Sequence, residues 1–127
     1  MRKNIFPTLM VTVALLGCRT DHPEHRIQRY LGVSASTNPQ QLRIELLQTV
    51  PVGTTEQHLY DRLKSARISE DPFASWHPAD KNNVVLFRTG RDNRFMDVVT
   101  REYAVFFYLD AARKVRDIQV REWLTGP

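Results

Sequence analysis

Apolar positions change their spacing three times along this chain. From Ile5 to Leu16 they run almost without a break, interrupted by Pro7, Thr8 and Thr12 and preceded by Arg2 and Lys3. From Arg19 to about Asn38 large apolar residues are sparse, and Pro23, Gly32 and scattered Ser and Thr dominate. That composition predicts a flexible tether over residues 18–37. Beyond Asn38 a helical period sets in, and beyond Asn82 it gives way to the two-residue period of strands.

Asn38 followed by Pro39 is a helix start: a capping side chain, then a residue whose fixed φ suits the first turn. Leu42, Leu46 and Val50 share one helical face, with Leu47 beside it. Leu42, Ile44 and Leu46 also alternate with Arg43 and Glu45, so a strand competes for this segment; the helix is preferred. Pro51 and Gly53 break the chain. Thr54 with Gln57 three residues on forms a capping box that opens a second helix, whose buried stripe is Leu59, Leu63 and Ala66. Glu56, Asp61, Arg62 and Lys64 are expected to face water.

Ser69 to Asn82 reads as a proline-rich loop holding Pro72, Phe73, Trp76 and Pro78. Val84 to Arg88 is a compact strand, followed by turn residues Gly90, Asp92 and Asn93. Phe95 to Thr100 extends the hairpin or projects as an irregular arm. Tyr103 to Leu109 is the strongest strand, apolar on both faces, which places it at the centre of a sheet with helices on one side and a further cover on the other. Asp110 to Lys114 forms a turn, and Val115 to Trp123 the last strand. The expected fold is a two-layer α+β domain over residues 38–127: two helices followed by a three-stranded antiparallel β-meander, about 90 residues around one core.

The first apolar run changes the picture of the whole chain. It is too short for a comfortable span, which needs about 20 apolar residues, but has the length of a signal-peptide core. Gly17 then stands directly before Cys18, the only cysteine. Residues 1–17 are therefore expected to be a lipoprotein signal peptide, with Cys18 as the lipid attachment point after cleavage. Multiple acyl chains suffice for stable anchoring. Arg19 stands where enterobacterial lipoproteins carry an inner-membrane retention Asp, so the outer membrane, periplasmic face, is favoured over the inner membrane. The mature chain would hold neither a disulfide nor a catalytic thiol.

Removing Arg2 and Lys3 takes 18 basic residues to 16 against 14 acidic ones, a net of +2 in place of +4. That mild excess, with an envelope address, argues against nucleic acid as a partner. Arg88, Arg91, Arg94 and Arg101 cluster in sequence. They are either a solvated hairpin edge or a contact for anionic headgroups or an acidic protein. Phe73 and Trp76 are candidate partner anchors, since exposed Trp is a favoured hot-spot residue. His22 and His25 lack a third ligand, and no metal or other cofactor is expected. Asp71, His77 and Asp80 have the chemistry of a general-base or metal site but serve equally well as turn formers, and no catalytic residue is assigned.

The succession of a tether, Val52-Gly53-Thr54-Thr55 before a helix, Asp71-Pro72-Phe73 with Trp76, and the strands Val84 to Arg88, Tyr103 to Asp110 and Lys114 to Val120 resembles the SmpA/OmlA (BamE-like) lipoproteins. The resemblance covers most of the chain after Val50. It implies an ααβββ fold and an accessory role in the outer-membrane β-barrel assembly machine. The chain departs from the family pattern after the second helix, where Leu63-Lys64-Ser65-Ala66-Arg67 replaces the usual Leu-Gly turn, and the usual leading strand is replaced by Leu42 to Val50. The functional expectation is a non-catalytic, membrane-anchored binding or accessory module with an envelope protein partner. A periplasmic inhibitor or immunity-type protein is the alternative, and a small hydrolase using the Asp71, His77 and Asp80 loop the third.

Overall fold

The computed structural model describes residues 22–91 and 100–125. Its first element lies inside the segment expected to be a tether. Helix α1, Pro23–Leu31, starts with proline in its first turn and ends at Gly32, whose left-handed φ of 75° lets its N–H reach the Gln28 carbonyl at 3.1 Å. Ile27 and Leu31, one turn apart, have no exposed surface, and Val33 behind them is buried. The folded domain therefore includes residues from Pro23 onward and does not start at Asn38. Only two large apolar residues mark the buried stripe of α1, and beside them an arginine is buried, so the segment has the composition of a linker.

Helix α2, Pro39–Thr49, starts at the anticipated cap: Asn38 Oδ1 accepts from the N–H groups of Gln40 and Gln41 at 2.9 and 3.4 Å. Leu42 and Leu46 are fully buried whereas Ile44 is 49% exposed, the pattern of a helix rather than of a strand. Helix α3, Glu56–Ser65, is capped one residue later than expected. Thr55 Oγ1 accepts from the His58 N–H at 3.2 Å, while Thr54 donates to the Pro51 carbonyl at 2.7 Å and Gln57 turns to Asp61 at 2.9 Å. The Thr54–Gln57 capping box does not form, because the Pro51–Gly53 turn already uses the Thr54 hydroxyl. Leu59 and Leu63 are fully buried and Ala66 partly so.

The sheet has four antiparallel strands in the order β1-β2-β3-β4: Ser75–His77, Val84–Arg88, Thr100–Leu109 and Val115–Thr125. The meander expected from sequence is present as β2 to β4. The proline-rich loop adds β1, which pairs Ser75 with Arg88, Trp76 with Phe87 and His77 with Leu86. Three residues are too few to display a period, so only the partner strand defines β1. Residues 92–99, with the anticipated Asp92–Asn93 turn and most of the Phe95 to Thr100 arm, lie outside the described residues.

Val85, Phe87, Tyr103, Val105, Phe107 and Ile118 point to the helices and make one core with Ile27, Leu31, Leu42, Leu46, Leu59 and Leu63. Long-range contacts tie the layers. Arg26, with no exposed surface, donates to the carbonyls of Thr89 and Arg91, both at 2.9 Å. The Tyr103 hydroxyl donates to the Thr37 carbonyl at 3.0 Å, across the stretch between α1 and α2. Arg113 grips both carboxylate oxygens of Glu56 at 2.6 and 2.9 Å, so the α3 start, expected to face water, is joined to the β3–β4 turn.

Candidate binding surface

Strand alternation sends one set of side chains to the helices and the other to the opposite face of the sheet. Register places Val84 beside Tyr108 and Leu86 beside Phe106 on that second face, with Ala104 between Arg88 and Arg121. No helix among the described residues covers these positions: Val84, Leu86, Phe106 and Tyr108 are only partly buried. The rings of Phe106 and Tyr108 stack with centroids 6.3 Å apart. A shallow groove of about 400 Å³ runs along them, bordered by His77, Asp80, Val84 and Leu86.

Arginines lie over the aromatic rings of this face. Arg121 sits 5.5 Å above Phe106, Arg116 5.3 Å above Tyr108, and Arg88 5.5 Å above Trp123. Arg116 is there because the β3–β4 ladder shifts register: Tyr108 pairs with Asp117 and Leu109 with Val115, leaving Arg116 as the extra residue of a bulge. Arg88 is neutralised by the mostly buried Glu102 at 2.8 Å, whereas neither Arg116 nor Arg121 forms an ion pair among the described residues. The face is thus apolar at its centre, aromatic and cationic above, and donor-rich at its rim.

The residues singled out from sequence are dispersed around this surface. Trp76 pairs with Phe87 in the ladder, so it faces the helices, where its ring meets Tyr60 at 5.5 Å. It is a core-edge residue and not an exposed anchor. Phe73 is 49% exposed, with the Arg26 guanidinium 4.9 Å from its ring centroid. Arg101 lies between Glu24 and Glu122 at 3.9 and 3.8 Å. The backbone carbonyl of Arg91 receives Arg26, and the residue itself is exposed. Arg94 and Cys18 lie outside the described residues.

The acidic loop separates into different tasks. Asp71 accepts from the Tyr30 hydroxyl at 2.5 Å and from the backbone N–H groups of Phe73 and Ala74 at 2.8 and 3.1 Å. Burial alone would raise its pKa, but these donors and the charge of Arg26 outweigh it and hold the carboxyl below its ordinary range. The Tyr30 hydroxyl is pushed up, by burial first and by Asp71 second. Asp80 accepts from the Asn82 N–H at 2.8 Å and shapes the turn into β2. Only His77 and Asp80 border a common groove. Among the described residues no three His, Cys, Asp or Glu side chains gather in a metal-ligating arrangement, and His22 and His25 meet edge to face with centroids 5.5 Å apart.

A second cleft, of about 390 Å³, lies between α2 and β4. It is braced across by Arg43, which donates to Asp117 at 2.7 Å and to the Ile118 carbonyl at 2.8 Å. The hydrogen bond from Arg43 holds the Asp117 carboxyl below its ordinary range. Sequence reasoning did not find Leu86, Phe106, Tyr108, Arg116 or Arg121 as one surface. The available signal was the two-faced apolar strand, and the bulge that aims Arg116 has no signature in the chain.

Comparison with protein-family profiles, with curated proteins and with solved structures returns no match for this chain.

Proposed function

We propose that this protein is a lipid-anchored envelope lipoprotein, acylated at Cys18, that serves as a non-catalytic binding module with the open face of its sheet as the contact surface. The observation that carries this reading is the strip of Val84, Leu86, Phe106 and Tyr108, which no helix among the described residues covers, with Arg116 over Tyr108 and Arg121 over Phe106. A sheet normally buries an apolar face, and aromatic and arginine residues are the types that dominate binding energy when a partner desolvates them. The occupant of this reading is an envelope protein presenting apolar and acidic side chains, which complement the strip and the guanidinium groups of Arg116 and Arg121, neither in an ion pair among the described residues. The resemblance to BamE-like lipoproteins supports an accessory role in outer-membrane assembly or maintenance.

The test is site-specific photocrosslinking in living cells. A photoreactive residue at position 106 is expected to capture a discrete protein adduct, and one at the exposed Gln57 on α3 is not. Equal labelling at both positions, or none at either, would overturn the reading.

A further inference from the structure

Pro23, where α1 starts, follows Cys18 by only five positions, where a tether of some twenty residues was expected. Five Cα–Cα steps at about 3.3–3.6 Å each span at most about 18 Å. A body on so short a leash cannot stand clear of the bilayer, and the end of the domain that carries Pro23 must face it. This deduction rests on the proposed acylation of Cys18.

That end has a distinct surface. Glu24, next to Pro23, lies 3.9 Å from Arg101, and Arg101 pairs across the sheet with Leu124. Leu124 is 66% exposed and its neighbour Trp123 is 40% exposed, on opposite faces of the last strand. Arg88 overlies the Trp123 ring, and the exposed Arg91 and Arg121 stand at the same end of the sheet. Among the described residues, the acidic groups there, Glu24, Glu102 and Glu122, each have an arginine within ion-pair distance. An exposed Trp-Leu pair flanked by surplus arginine matches a membrane–water interface, where indole rings settle at headgroup depth and guanidinium groups reach the phosphates.

We infer that the Trp123–Leu124 end of the sheet is a second, membrane-contacting surface that seats in the leaflet holding the acyl chains and fixes the orientation of the body. The bound element is the anionic bilayer surface itself. With this end down, the open face stands across the membrane plane, accessible to a lateral partner.

The experiment uses the acylated full-length product, purified and reconstituted in vesicles of phosphatidylethanolamine and phosphatidylglycerol with bromine on the acyl chains. Mass analysis of the N-terminal peptide reads acylation separately. Trp123 emission is expected to shift to the blue and to be partly quenched by the bromines, as follows for an indole held at headgroup depth. That quenchable component should vanish in Trp123→Phe and fall in Leu124→Asp, both substitutions of exposed side chains. An acylated protein whose Trp123 emission is untouched by brominated lipid overturns the membrane-contacting surface and leaves the lipoprotein reading standing. An unmodified Cys18 overturns both.

Discussion

The guanidinium of Arg26 and the backbone carbonyl of Thr89 meet at 2.9 Å across 63 residues of sequence, with no exposed surface on either residue. The same side chain reaches the Arg91 carbonyl at 2.9 Å and lies 4.0 Å from Asp71. Helix α1 is thereby bolted to the end of β2. Arg26→Met keeps much of the volume but removes the donor from two carbonyls and a positive charge from beside Asp71. We expect a loss of about 2–4 kcal/mol, because the buried Thr89 carbonyl is left without its donor and Asp71 loses one of its two neighbouring guanidinium groups. Chemical denaturation of the two proteins checks it.

Ile27 distinguishes a folded α1 from a tether. Ile27→Ala removes methylene groups from a fully buried site and is expected to cost about 2–4 kcal/mol. In a domain of this size that lowers the melting temperature by roughly 4–8 °C for each kcal/mol. A change at the exposed Gln28, Gln28→Ala, should leave it almost unmoved. Equal melting temperatures for Ile27→Ala and the parent would show that residues 23–31 are not part of the core.

Gly90 is required by two constraints together. Its φ of 77° is in the left-handed region, and a Cβ there would stand 2.5 Å from the Phe73 carbonyl oxygen. Backbone cannot yield as a side-chain tip can. Gly90→Ala is therefore expected to destabilise by at least about 2 kcal/mol, where open space would give a smaller penalty. Gly53→Ala, with a left-handed φ of 99° but nothing within 4 Å, isolates the conformational part. Parallel thermal melts of the two variants measure the difference.

Acid should unfold the protein through its paired carboxylates. Asp71 is held low by Tyr30, two backbone donors and Arg26 against its own burial, Glu56 by Arg113 and then Tyr60, and Asp117 by Arg43. Each folded-state pKa lies below its unfolded value, so the unfolded chain binds more protons in that window. The stabilisation is complete above the ordinary carboxyl range near pH 4 and is lost as pH falls through the folded-state values. Stability is expected to be flat from these groups above about pH 5 and to decline below it. In Asp71→Asn the decline should be shallower and the neutral-pH stability lower; an unchanged acid profile would remove Asp71 from the account.

What was legible in the chain were features written in neighbouring residues. The Asn38–Pro39 start, the Leu42, Leu46 and Val50 stripe and the strand from Tyr103 to Leu109 depend on spacing along one element, and the structure has each of them. The leader pattern and the lone Cys18 are of the same kind, and they yield an expected address without tertiary information. Features that depend on what lies opposite were not legible. Helix α1 looks like linker because its stability comes from Arg26 meeting carbonyls more than sixty residues away. Strand β1 exists only through its pairing with β2, and Trp76 faces the core because of that register. Arg116 reaches Tyr108 only through a bulge in the β3–β4 ladder. Periodicity by itself thus determined the helices after Asn38 and the meander. The tertiary structure decided that residues 23–31 belong to the domain, which aromatic residues are open and which arginines stand over them, because those outcomes turn on contacts between elements, and one-dimensional spacing does not encode such contacts.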